Sequence, residues 1–172
     1  MSNQPPSQPS PSFDQIVKGD VSIKKLSKYK YKITFSKIGK FLMSQVWDKD
    51  NVNNQNDARA VFYVSAKKWV NAFMKQNKNL KENDKPLFTP TTIMETADEV
   101  EYAFVIHKAY LDRDDRVVFT VSTKEIQLAN NCSKDLIKIP CDKFKNMRFD
   151  IDTSDIACSI AVALGAGFLC NL

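Results

Sequence analysis

Glycine is scarce in this chain, with 4 among 172 residues. Phosphate-binding loops and dinucleotide folds cluster glycines where backbone must approach a phosphate. No such cluster is present, and neither is a G-x-S-x-G elbow. Histidine is scarcer still, with His107 alone. The four cysteines, Cys132, Cys141, Cys158 and Cys170, show no C-x-x-C spacing. One imidazole and scattered thiols supply no ligand pairs for zinc. The opening residues Met-Ser-Asn-Gln-Pro-Pro carry neither a basic start nor an apolar run. No secretory leader is therefore expected, and free thiols in a reducing, cytoplasmic setting follow.

What is there has the balance of a globular protein: 43% hydrophobic and 26% charged residues. This length suits one domain that needs no disulfide or metal staple. Residues 1–12 hold four prolines and almost nothing apolar, so they are expected to form a disordered tail. Residues 13–172 then form a single β-rich domain. The surplus of Lys, Asn, Ile and Phe is what an AT-rich genome yields, cellular or viral.

Charge is distributed unevenly. Residues 18–81 hold 15 lysines and arginines against 4 acids, a balance of +11, whereas residues 82–172 hold 10 against 15, a balance of −5. Such a split implies either an acidic partner for the first half or compensation between the halves in the fold.

Periodicity gives the elements. Tyr29, Tyr31, Ile33 and Phe35 alternate with Lys30, Lys32, Thr34 and Ser36, the two-residue period of a half-buried strand. Val21 and Ile23 predict a shorter strand before it, and Phe41 to Trp47 a further strand or short helix. Asp48 to Asp57 reads as a polar loop, and Ala60 to Val64 as a short strand. Ser65 is a fitting N-cap for a helix over about 65–80, in which Trp69, Ala72, Phe73 and Leu80 share a stripe. Thr91 to Thr96 predicts a strand. Val100 to Leu111 and Arg116 to Leu128 flank a short acidic turn and predict a hairpin. In its first arm Val100, Tyr102, Phe104 and Ile106 should oppose Ala103, Val105 and Ala109. Leu136 to Ile139 and Met147 to Ile151 predict two more strands. From Ile156 to Leu172 no residue is charged, and Asp152 to Asp155 offer N-caps, so an apolar helix is expected over about 155–169. The resulting fold is α+β: an antiparallel sheet or sandwich with one amphipathic helix and an apolar C-terminal helix.

Few residues carry candidate chemistry. A Cys–His dyad would require a thiol to meet His107 in space; a strand side chain at the rim of the core is the plainer reading. Asp150 and Asp152, two apart on a strand, project to one side and resemble a Mg²⁺-holding pair. Helix capping explains them more simply. Asp48 and Asp50 open a loop like a calcium loop, but Val52 occupies a ligand position and the turn glycine is missing.

The lysines point elsewhere. Lys18, Lys24, Lys25, Lys28, Lys30, Lys32, Lys37 and Lys40 lie within 23 residues, against Asp20 alone. Lys28, Lys30 and Lys32 repeat about every 7 Å along a strand face, close to the phosphate repeat of a nucleic acid. Lys67, Lys68, Lys75 and Lys78 give the first helix a basic face. Binding there would act through counterion release, with little base readout because arginine is scarce. The C-terminal segment 156–172 is at the short limit for a membrane anchor. A helix covering the sheet or an oligomer contact fits it better.

The sequence therefore predicts a non-enzymatic binding or structural protein, a viral one among the options, acting through protein–protein assembly. It predicts no cofactor, no metal and no catalytic residue. The alternative is a nucleic-acid-binding module using Lys24, Lys25, Lys28, Lys30, Lys32, Lys67 and Lys68. A weaker third reading is an enzyme built on Asp150 and Asp152.

Overall fold

A computed structural model describes residues 12–46, 60–78, 90–126 and 138–152. The elements follow in the order β1 (Ser12–Lys25), β2 (Lys30–Ile38), β3 (Phe41–Val46), β4 (Ala60–Val64), α1 (Ala66–Lys78), β5 (Thr91–Glu95), β6 (Glu101–Leu111), β7 (Val117–Ser122) and β8 (Lys143–Asp152), and residues 124–126 are also helical. All pairings are antiparallel, and the strand order is β2-β7-β6-β5-β8-β1-β3-β4. β1 also pairs with β2. That contact closes six strands into a barrel, with β3 and β4 as an extension beside β1. The fold is thus mainly antiparallel β, but a barrel and not a sandwich.

The closure depends on β1. One edge of this 14-residue strand pairs with β8 from Asp14 to Ser22. Its other edge pairs first with β3, from Ser12 to Ile16, and then with β2, from Gly19 to Lys25. β2 and β3 run in the same direction along that edge, interrupted only at Gly39 and Lys40, where Gly39 N–H donates to the Lys18 carbonyl at 2.9 Å. The turn of β1 from one neighbour to the next falls at Gly19, next to a register shift against both β2 and β8. A Cβ on Gly19 would lie 2.7 Å from the Lys37 carbonyl oxygen and 2.7 Å from Phe35 Cδ1. The carbonyl belongs to the backbone and cannot rotate away. Gly19→Ala should therefore destabilise the barrel by about 1–3 kcal/mol, the usual cost of overpacking, measured by urea unfolding.

Alternation fills the interior. Val17, Val21 and Ile23 of β1, Tyr31, Ile33 and Phe35 of β2, Phe119 and Val121 of β7, and Met147, Phe149 and Ile151 of β8 are all buried. Phe35, Phe119 and Phe149 meet with ring centroids 5.0 to 6.1 Å apart. α1 starts after Ser65, whose Oγ accepts the Lys68 N–H at 3.3 Å, as an N-cap should. The helix packs on β6 and β7 and buries Trp69, Val70, Ala72 and Phe73. Trp69 stacks on Phe41 at 4.4 Å and reaches Phe119 at 6.0 Å. A barrel of six strands is narrow enough for side chains to fill it.

Several expectations change. β1 begins at Ser12 and replaces the short strand around Val21 and Ile23, because the buried Gln15 and Gly19 break the apolar alternation within a continuous strand. Ala109 faces the core together with Phe104 and Ile106. A register shift between Ile106 and Lys108 reverses the alternation of β6 there. The strand expected at Leu136 to Ile139 is not formed at Lys138 or Ile139, although Ile139 is buried. The second hairpin arm ends at Ser122. The tail 1–11, the loop Asp48 to Asp57, Leu80 and the apolar C-terminal helix (155–169) lie outside the described residues. Among the described residues no helix is long and apolar enough to cross a membrane.

Candidate functional site

With aromatic side chains inside the barrel, ligand chemistry falls to its outer surface. Residues that face each other across antiparallel strands project to the same side, so the strand registers lay out that surface. Lys24 of β1 faces Lys32 of β2, Lys32 faces Thr120 of β7, and Thr120 faces Lys108 of β6. One step along, Lys143 of β8 faces Ser22, Ser22 faces Thr34, Thr34 faces Val118, and Val118 faces Tyr110. Neighbouring strands lie about 4.8 Å apart and the two rows about 7 Å apart. Lys30 extends the face beyond Lys32.

Lys24, Lys30, Lys108, Lys143 and Lys145 are exposed, and Lys32 is half-buried. Among the described residues none of these six pairs with a carboxylate. The ion pairs among the described residues join His107 to Glu125 and Arg116 to Asp112 and Asp114. Lys108 instead lies over the Tyr110 ring, 5.1 Å from its centroid, and Lys28 over Tyr29 at 5.3 Å.

The sequence-selected lysines divide. Lys24, Lys30 and Lys32 join the face. Lys25 faces Tyr31 at the end of β1, and Lys28 sits in the turn between β1 and β2. Lys67 and Lys68 are exposed on α1, and no strand register connects them to the rows. Thr34 shares the face that alternation gives Lys30 and Lys32, whereas Lys108, Lys143, Lys145 and Thr120 escape the sequence pattern because they come from distant parts of the chain. The alternating Lys143-Phe144-Lys145 was the one local signal for them.

Beside the lower row lies a groove of about 430 Å³, bordered by Ser22, Thr34 and Ser36, by Arg116, and by Lys143 and Lys145. The half-buried Phe144 supplies apolar lining, Val21 lies beneath it in the core, and Asp20 is its one carboxylate. Asp20 Oδ1 accepts the Asn146 N–H at 3.0 Å, and Ser36 Oγ donates to the Asp20 carbonyl at 3.2 Å. Asn146 has φ 55°, a left-handed conformation that Asn tolerates. It falls in the bulge that places Lys145 and Asn146 opposite Asp20. No family model matches the chain, and no curated protein or solved structure matches it.

The residues considered for catalysis are otherwise engaged. His107 sits at the β6 bulge with Nε2 2.7 Å from Glu125 Oε1. Desolvation opposes ionisation of Glu125, but the Ser122 hydroxyl, a backbone amide and His107 hold its pKa below the usual value. Cys141 is exposed, its thiol donating to the Ile139 carbonyl at 3.7 Å. Cys132, Cys158 and Cys170 lie outside the described residues, as do Asp48 and Asp50.

Asp150 and Asp152 do project together, and Asp14 joins them, facing Asp152 across β1 and β8. Among the described residues no group of three such ligands is placed to hold a metal ion. Burial raises the pKa of Asp14, with Asp152 adding to it. Burial also raises that of Asp150, with Asp14 and Asp152 adding and Arg148 opposing. Between the ordinary carboxylate pKa and the raised one, the folded state binds more protons than the unfolded state. Stability from this cluster therefore falls as pH rises through that window. Asp14→Asn should raise stability at pH 7 by a few tenths of a kcal/mol, typical of relieving like charges across strands. The gain should vanish near pH 3, where the wild-type carboxyls are themselves neutral. Urea unfolding at both pH values checks this.

Proposed function

We propose that the protein is a non-enzymatic binding module that holds the phosphate backbone of a nucleic acid on the outer face of its barrel. The observation that carries this reading is the face on which Lys143 and Lys145 of β8, Lys24 of β1, Lys30 and Lys32 of β2 and Lys108 of β6 stand without a carboxylate partner among the described residues, with Thr120 of β7 between them. Exposed ammonium groups release condensed counterions from a polyanion when they bind it. Hydroxyls between them can donate to phosphate oxygens. The contacts are to the backbone, so discrimination between sequences should be weak.

An anisotropy titration with random-sequence single-stranded DNA and RNA tests the proposal. Binding is expected at 50 mM salt. With about five phosphates neutralised, affinity should fall about 100-fold by 200 mM. Absence of binding at 50 mM ends the reading.

Assembly between copies is the second reading, favoured by the opposite end of β1. There Ile93, Asp150, Ile16, Leu42 and Tyr63 face one another in turn across β5, β8, β1, β3 and β4. Tyr63 is 68% exposed and Val61 54%. Asp14, Asp150 and Asp152 make this end acidic, so it complements the lysine face of a second copy in a head-to-tail contact. Sedimentation showing only monomer at high concentration and low salt would contradict it.

A further inference from the structure

The groove beside the lysine rows differs from the rest of the face. Elsewhere lysines stand on an open surface that can follow a passing backbone. Here cations approach from two sides, Arg116 from the turn before β7 and Lys143 and Lys145 from β8, with three hydroxyls between them. The volume, about 430 Å³, falls within the range of small-ligand sites, roughly 300–1,000 Å³. Its apolar lining can receive a base or sugar.

The polar wall is fixed in place. Arg116 Nε donates to Asp112 Oδ2 at 2.8 Å, and Nη2 lies 3.4 Å from Asp114. Desolvation disfavours the Asp112 carboxylate, yet the Arg116 amide and guanidinium and the Asp114 amide hold its pKa low. Asp20 holds the Asn146 amide at the groove's border and keeps one negative charge there.

A phosphodiester carries one charge and runs past in both directions. A phosphate monoester carries about −1.5 to −2 and three strong acceptor oxygens, which suits two lysines, Lys143 and Lys145, and the hydroxyls of Ser22 and Thr34 converging on one place. We infer that this groove receives a nucleoside monophosphate unit, with the phosphate among Lys143, Lys145, Ser22 and Thr34 and the nucleoside toward Phe144. The unit can be a free nucleotide or the 5′-phosphorylated end of a strand. The inference rests on the backbone-binding reading and adds a terminus to it.

The test compares a ten-nucleotide single strand bearing a 5′-phosphate with the same strand bearing a 5′-hydroxyl, by anisotropy at 100 mM salt. The phosphorylated strand should bind about tenfold tighter. Lys143→Ala with Lys145→Ala should bring the ratio close to one. Lys24→Ala with Lys32→Ala should weaken both strands and leave the ratio intact. Competition by adenosine monophosphate assigns the groove to free nucleotides as well; a preserved ratio without competition assigns it to strand ends. Equal affinity for both wild-type strands, or a ratio unchanged by the Lys143 and Lys145 substitutions, overturns the inference while the backbone reading stands. If neither strand binds, the backbone reading fails. Amide shifts of Ser22 and Thr34 on adding adenosine monophosphate then decide the groove alone: their appearance supports it, and their absence overturns it.

Discussion

Lys24→Glu combined with Lys32→Glu should weaken binding to a random single strand by about 100-fold at 50 mM salt. The size follows from counterion release. Each neutralised phosphate contributes about 0.7 to the slope of log affinity against log salt, which at 50 mM is close to tenfold per contact. Two contacts are lost, and the slope should become shallower by about 1.4. Lys24 and Lys32 face each other directly, so reversing both places negative charge at the centre of the face. Lys67→Glu with Lys68→Glu changes the net charge equally. It lies on α1, off the rows, and should cost no more than a few-fold. Equal losses from the two double variants would mean that net charge, and not the arrangement of the face, governs binding.

The second large effect concerns the core. Phe119→Ala should destabilise the protein by about 3–5 kcal/mol, as aromatic truncations in well-packed cores do. Phe119 is fully buried and lies against Phe35, Trp69 and Phe149. It thereby joins β2, α1 and β8 at one point, and a cavity there cannot collapse without moving three elements. Total stability of a domain is commonly about 5–15 kcal/mol, so the variant loses a large share of it. The melting temperature should fall by about 10 °C or more. Tyr63→Ala removes a ring of similar size from the exposed face of β4 and should change stability by about 0.5 kcal/mol or less. A loss below about 1 kcal/mol for Phe119→Ala would contradict the packing described.

Local patterns were legible in the sequence. The alternation at Tyr31, Ile33 and Phe35 marked β2 and its inner face. Ser65 ahead of the Trp69–Phe73 stripe marked α1, and the acidic turn after Leu111 marked the β6–β7 hairpin. Closure was not legible, because alternating side chains fill a sandwich and a barrel equally well. The difference lies in β1, which bends at Gly19 to take β3 and β2 on one edge. Its buried Gln15 and Gly19 hide its length from any apolar pattern. Ala109 was assigned to the wrong face for a related reason, since a bulge shifts the period by one residue and leaves no mark in composition. The lysine face was half legible. Lys24, Lys30 and Lys32 stand close in sequence, but Lys108, Lys143 and Lys145 reach them only through the registers of β7, β6 and β8. Sequence distance also misled, since Lys67 and Lys68 belong to the same basic half yet sit apart on α1.

Amide chemical-shift mapping of the protein during titration with a random single strand at low salt tests the central idea most directly. Shifts should gather on Ser22, Lys24, Lys32, Thr34, Lys108 and Thr120, fade together as salt rises, and leave Val61, Tyr63 and Ile93 unmoved. Shifts concentrated on α1 or on the acidic end of β1, or none at all, would contradict a polyanion site on the barrel's lysine face.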